Sequence, residues 1–304
     1  MAKKKYARYV KKLEFKDDPS GINRQVTQLD GKSFGLDFHI QFGTFVAAGK
    51  MGKRLYGPHS HDFNQVMLFI GTDTDDMGDL DSEVELCLGK EGEKYMITSS
   101  SSVWIPKGLP HFPATINRMD RRFIYMEISY ASEYKEKPVR VDKKAFNSAP
   151  IIGWKGKYRK HIKNTAFIRK GAWMYGPKNR DDSGGQLAFI FNKEPDAFEF
   201  LVMCESLKKA PYRFSPIPDK PHAHPRLEIL FFIGTDTNNL GYLGGEAEIH
   251  LGKEMERHVI TEPTAVVIPR GLPHNPLIIT KIDRPFLLTD VRPQGSGDFD
   301  PRNL

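Results

Sequence analysis

Sequence patterning predicts an all-β protein made of two copies of one unit. The first observation is a repeat at a constant offset of 163 residues: His59, His61, Gln65 and His111 return as His222, His224, Glu228 and His274. The surrounding text repeats at the same offset, with FIGTDT at 69–74 and 232–237, LGKE at 88–91 and 251–254, and GLPH at 108–111 and 271–274. Ungapped self-similarity at a fixed spacing is the mark of a duplicated fold unit. The second observation is period-two alternation of polar and apolar residues at 83–88 and 246–251, which is the pattern of half-buried strands. The third is regular turn chemistry with few helix-period segments, which points to an antiparallel barrel or sandwich.

The elements follow in chain order. Lys5-Tyr6, Tyr9-Val10-Lys11 and Phe15 resemble Lys157-Tyr158, His161-Ile162-Lys163 and Phe167, here at an offset of 152. Each unit therefore opens with a basic arm, the boundary falls near 149–153, and the expected domains are 1–150 and 151–304. After the first histidines, apolar runs end in turn-rich breaks at Gly71–Gly78 and Gly234–Gly241. Val103-Trp104-Ile105 and Val266-Val267-Ile268 read as short strands, each stopped by a Pro-x-Gly turn. Along a strand, side chains alternate faces. His222, His224 and Glu228 share parity, as do His59, His61 and Gln65, so each set is expected on one face. Leu230 and Phe232, and Met67 and Phe69, continue that face as an apolar wall. His274 and His111 arrive from distant strands, and a closed barrel brings them across.

His-x-His-x-x-x-Glu, a Gly six positions on, and then Pro-x-Gly-x-x-His resemble the two signature motifs of the cupin superfamily. His222, His224, Glu228, Gly234, Pro269, Gly271 and His274 fill them in the second unit. His59, His61, Gly71, Pro106, Gly108 and His111 fill them in the first, with Gln65 in place of the acid. The chain thus resembles a bicupin, and the phrase GTDT…LGKE…GLPH is similar to bacterial cupin-domain proteins without an assigned function. The resemblance implies a double-stranded β-helix (jelly-roll-like) barrel in each half and a divalent metal held by three His and one Glu. It implies no reaction, because cupins include dioxygenases, decarboxylases, isomerases, storage proteins and sensors, and fold does not give function.

The donor set suits Fe, Mn, Ni, Cu, Co or Zn, and affinity order does not choose among them. Gln65 offers a neutral amide oxygen, so the first site is expected to hold a dication less strongly and to lose it first. A more positive metal there would also be a stronger Lewis acid toward an anion. Arg226 shares parity with His224 and is a candidate for a substrate carboxylate. Asp120-Arg121 and Asp283-Arg284 recur, as do Glu127 and Asp290, and read as turn-stabilising ion pairs. No phosphate-cradling loop, nucleophile elbow or persuasive general base is present.

Composition bounds the rest. The net charge of +7 is uneven: residues 1–16 carry net +6 and residues 135–182 net +10, which leaves −9 elsewhere. The stretch 154–160, WKGKYRK, mixes basic and aromatic residues, yet no nucleic-acid motif accompanies it. The arms are expected to contact the other barrel or another subunit, with a homodimer as one outcome. Cys87 and Cys204 face His250 and Gln41 at the repeat offset, so no disulfide framework is expected and the thiols read as buried and inert. No apolar run is long enough to span a membrane and no secretory signal opens the chain, so a cytoplasmic location is expected. The leading expectation is a metalloenzyme acting on a small anionic molecule, of dioxygenase, lyase or isomerase type. The alternative is a non-catalytic metal-dependent binder or sensor, and no helix-turn-helix is found to support a sensor.

Overall fold

The computed structural model describes residues 4–17, 24–51, 57–153, 155–169, 183–192, 199–214 and 221–293. The chain divides into two compact units: Phe15–Ala166, and Met1–Glu14 together with Phe167–Leu304. Each is a barrel of two facing antiparallel sheets. In the first unit, the strands Gln65–Ile70, Ser101–Ile105, Ile124–Ser129 and His39–Phe45 form the centre of a seven-stranded sheet. The opposing sheet is built on His111–Met119 and Asp79–Leu88. In the second unit, Glu228–Gly234, Thr264–Ile268, Phe286–Arg292 and Phe200–Leu207 take the first role, and His274–Ile282 with Gly245–Leu251 the second.

The duplication reaches the level of register. Ile105 pairs with Gln65 and Ile268 with Glu228, which are equivalent positions. The ladder between His111–Met119 and Asp79–Leu88 slips at 111/114 and 116/118; its counterpart slips at the equivalent places. Such bulges bend a strand and re-aim its side chains. Phe112 and Asn275, directly after the last histidine of each set, both take a positive φ, at 68° and 97°. Side chains rarely adopt that region, and strain of this kind collects at functional sites.

Burial follows the alternation read from the sequence. Asp79–Leu88 shows an exposed-to-buried alternation that sends Leu80, Val84, Leu86 and Leu88 inward. Met67, Phe69, Leu230 and Phe232 are buried in the barrel cores as expected. The expected run of strand through the ligands is interrupted, however. His59–Ser60 is a short strand separated from Gln65–Ile70, and only an isolated bridge at His222 precedes Glu228–Gly234. Strict parity therefore does not hold across 61–64 and 223–227. Cys87 and Cys204 are both free and buried, and burial raises the thiols to about 11 and about 12. Strand pairing sets Cys204 opposite Thr289 and Phe42 opposite Met126, so Phe42, not Gln41, is the structural equivalent of Cys204. No helix among the described residues is long and apolar enough to cross a membrane.

The arms dock by a repeated chemistry. Val10–Lys12 adds a strand to Thr264–Ile268, and Ile162–Asn164 adds one to Ser101–Ile105. Each arm is thus counted with the unit it packs on, not with the barrel that follows it in sequence. The Tyr6 hydroxyl donates to Glu254 at 2.7 Å and Lys5 Nζ donates to the same carboxylate at 2.6 Å. Tyr158 and Lys157 meet Glu91 in the same way at 2.8 and 2.9 Å. The ion pairs are solvent-exposed and screened, so the packing of each ring is the stronger term. Each ring lies on the glycine of an LGKE turn, where a Cβ would fall 2.2 Å from the ring at either Gly89 or Gly252. Gly252→Ala is therefore expected to lift the arm, costing roughly 1–3 kcal/mol for the overlap, with further strain at φ +77°. The check is limited proteolysis of the N-terminal segment. Cleavage should accelerate in Gly252→Ala, and an unchanged rate would show that the ring does not hold the arm. The basic-aromatic stretch at 155–160 is accordingly a docking arm, while Trp154 lies outside the described residues.

Candidate metal centres

The motif histidines converge in both barrels. One ring nitrogen from each of His59, His61 and His111 lies within 4.8 Å of the others, and the same holds for His222, His224 and His274. Hydrogen bonds fix which nitrogen faces inward. His61 Nδ1 bonds the Lys135 carbonyl at 2.9 Å, His111 Nδ1 that of Leu109 at 3.0 Å, and His274 Nδ1 that of Leu272 at 3.0 Å. A carbonyl only accepts. Nδ1 must then carry the proton, and Nε2 presents a bare lone pair to the interior. This is the arrangement of a metal-ligating histidine, whose other nitrogen is anchored to a backbone carbonyl or carboxylate.

In the first barrel the inward atoms have no partner. His59, His61 and His111 Nε2 and Gln65 Oε1 are all buried without a hydrogen bond. Gln65 turns its amide nitrogen to Ser129 Oγ at 3.3 Å, and its oxygen is buried without a hydrogen bond. Three buried imidazole acceptors converge here, and a cation would relieve their mutual repulsion, so these residues fit a divalent metal. Burial keeps these rings neutral: it lowers His59 to about 4 and His111 well below the ordinary histidine value. His59 also stacks on Phe112, with centroids 5.4 Å apart.

In the second barrel Glu228 Oε2 stands 3.2 Å from His224 Nε2 and 3.1 Å from His274 Nε2. Ligands at right angles about a cation, with bonds of about 2.1 Å, are separated by about 3.0 Å. Burial pushes the Glu228 carboxyl up, but Arg292 and the two histidines outweigh it and hold it well below the ordinary range. Burial pushes His274 down, but Glu228 outweighs it and the shift is upward. A proton shared between these groups relieves lone-pair repulsion, and a metal cation at the same point competes with it. His222 is lowered to about 4, first by burial and then by the neighbouring imidazoles. The Asn275 side-chain amide lies 2.9 Å from His222 Nδ1. The residue after the last histidine thus orients the first one in both barrels, by stacking in one and by its amide in the other.

The chief residue missed by sequence reasoning is Arg292. It donates to Glu228 Oε1 at 3.1 Å and grips both oxygens of Asp290 at 2.7 to 3.2 Å. Glu228 and Asp290 side chains are 5% and 3% exposed, so this is a buried carboxylate–guanidinium–carboxylate triad. Burial, with Glu228 nearby, raises Asp290 to about 7 against the pull of Arg292. At the repeat offset Arg292 corresponds to Ser129, and Ser129 is the partner of Gln65. The exchange of Glu for Gln at the fourth position is therefore matched by Arg for Ser beside it.

Asp290 is not a turn-stabilising residue but part of the site. The turn pairing expected of the other repeated polar residues falls to Arg121 with Asp73 and Arg284 with Asp236, at equivalent positions. Arg226 sits in the bend where parity fails, bonds Glu199 at 3.3 Å near the surface, and does not line the cavity. That cavity, of about 110 Å³, is bounded by His222, His224, Glu228, His274, Asn275, Asp290 and Arg292 on one side and by apolar side chains on the other.

No protein-family model matches the sequence, and no curated protein matches it either. Solved structures do match. The Lactobacillus farciminis oxalate decarboxylase in its formate complex aligns over 94% of this chain and 85% of its own, at 11% identity and a TM-score of 0.53. A mutant of the Bacillus subtilis oxalate decarboxylase aligns over 94% and 76%, at 7% identity and 0.53. Vicilin from Corylus avellana (hazelnut) aligns over 94% and 85%, at 12% identity and 0.57. At such identities the likeness concerns fold alone, and over nearly its whole length the chain shares the two-barrel cupin architecture of these proteins.

Proposed function

We propose that this chain is a metal-dependent bicupin enzyme acting on a small anionic molecule, with its reactive centre in the second barrel. One observation carries the reading: the lone pairs of His224, His274 and Glu228 face one another at 3.1 to 3.2 Å beside a cavity large enough for a small molecule. His222, His224, His274 and Glu228 would hold the metal there, and His59, His61, His111 and Gln65 a second one in the first barrel. A divalent cation bound there supplies Lewis acidity toward a substrate oxygen.

The chain's own residues set the conditions. The Leu272 carbonyl fixes the His274 tautomer. Arg292 holds one oxygen of Glu228, so that the carboxylate turns its other oxygen to the metal side. Leu230 and Leu277 line the apolar side of the cavity, and a less polar surround strengthens polar contacts at the donor end. The oxalate decarboxylase with formate supports a small carboxylate as the class of substrate, without selecting one. The test is a screen of metal-replete protein against short carboxylates with two detectors, dissolved oxygen and released carbon dioxide. Turnover that disappears on chelation and returns with metal is expected, and the responding detector separates oxygenase from lyase. Metal-dependent binding without any turnover would make the chain a binder and end the enzyme reading.

A further inference from the structure

We infer that the second-barrel cavity takes a monocarboxylate with a short apolar tail and rejects dicarboxylates. This deepens the reading above and rests on it for the anchoring of the first carboxylate. The volume of about 110 Å³ is far below the roughly 300 Å³ at which drug-sized pockets begin, so the ligand is limited to a few carbons. The donor end is the metal-ligand set with Asn275. Among the described residues, the rest of the wall is Phe189, Leu201, Met203, Phe214, Leu230 and Leu277.

A second carboxylate needs a second cation, and among the described lining residues the one guanidinium is already committed. Arg292 Nη2 is shared between Glu228 at 3.1 Å and Asp290 at 2.7 Å, and its Nε reaches Asp290 at 3.0 and 3.2 Å. Among the described lining residues, a second anionic group would face either six apolar side chains or the acid of Asp290. Burying a charge without a partner is strongly unfavourable. A methyl or propyl group in the same place gains from the apolar wall, by about fourfold in affinity for each carbon. Charge and shape therefore select the same class.

The test compares butyrate with succinate, which have the same four carbons and differ in the terminal group, and adds formate as the tailless reference. Each is titrated calorimetrically into metal-replete, full-length protein. Butyrate is expected to bind on the order of 50-fold more tightly than formate and at least about tenfold more tightly than succinate. Succinate binding as well as butyrate, or no butyrate binding at millimolar concentration, overturns the inference. Phe214→Arg, at a half-buried wall position, should invert the preference toward succinate. If that variant does not fold, Phe189→Arg offers the same charge from the strand Gln186–Asn192, and an unchanged preference in a folded variant counts against the assignment. The His222→Ala/His274→Ala protein separates the two levels of the argument. Unchanged metal content there defeats the metal reading itself, whereas loss of metal with a succinate preference in the parent protein defeats this inference alone.

Discussion

Alanine at both His222 and His274 is expected to remove one equivalent of metal from the natively purified protein and to leave the first barrel loaded. Two of four protein donors disappear, and water must replace them at a point where Glu228 Oε2 and His224 Nε2 remain only 3.2 Å apart. Changes merely behind the ligands cost about 10–100-fold in metal affinity in typical sites, so loss of two ligands should exceed that range. The backbone pairing between His222 and His274, at 2.9 and 3.0 Å, does not depend on the imidazoles and should survive. Elemental analysis after gel filtration is the measurement. The parallel pair His59→Ala/His111→Ala should remove the other equivalent. Full metal retention in both double variants would leave the converged histidines without their proposed purpose.

Arg292→Met is expected to destabilise the second barrel by about 3–5 kcal/mol, because two buried carboxylates lose their common cation. For a unit of this size that lowers the melting temperature on the order of 10 °C. Metal affinity should fall as well, since Glu228 loses the contact that sets its orientation. The first barrel shows how the same place is filled without charge, with Ser129 on Gln65. Transplanting that solution as Glu228→Gln/Arg292→Ser should therefore recover more than half of the stability lost in Arg292→Met. Calorimetry of the three proteins decides the matter, and equal melting temperatures for Arg292→Met and the parent would mean that the triad sustains nothing. The same comparison bears on how large a gap to expect between the Gln65 site and the Glu228 site. When their acids are ionised, Glu228, Arg292 and Asp290 sum to one negative charge, and so do Gln65, Ser129 and Glu127. The difference between Gln65 and Glu228 is offset behind the ligand, and the gap in chelator sensitivity should be smaller than the ligands alone suggest.

The converging histidines were legible because their spacing occurs twice, and a chance set does not recur at one offset. The barrel walls were legible because alternation survives in Asp79–Leu88 and Gly245–Leu251. Arg292 was not, since its partner Glu228 is 64 residues away and its repeat equivalent is Ser129. Its shared parity with Asp290 was the available hint. Arg226 misled because parity was extended through a bend, where the chain is not a strand and consecutive side chains do not alternate. The docking of the arms was visible only as a faint repeat, because each contact is made over about 65 or 250 residues and the arm-to-histidine distance differs between the copies.

The exchange of arms means that chain order and folding unit do not coincide. A cut between Pro150 and Ile151, where the repeat would be divided, leaves a fragment with the first barrel and the second barrel's edge strand Val10–Lys12, and another with the second barrel and the first barrel's edge strand Ile162–Asn164. Neither fragment can saturate its own sheet, and each exposes a strand edge that the other is shaped to cover. The molecule is in this sense a pair of reciprocal hooks closed within one polypeptide. Its halves belong together by complementation, with peptide continuity serving only to keep each hook near its eye.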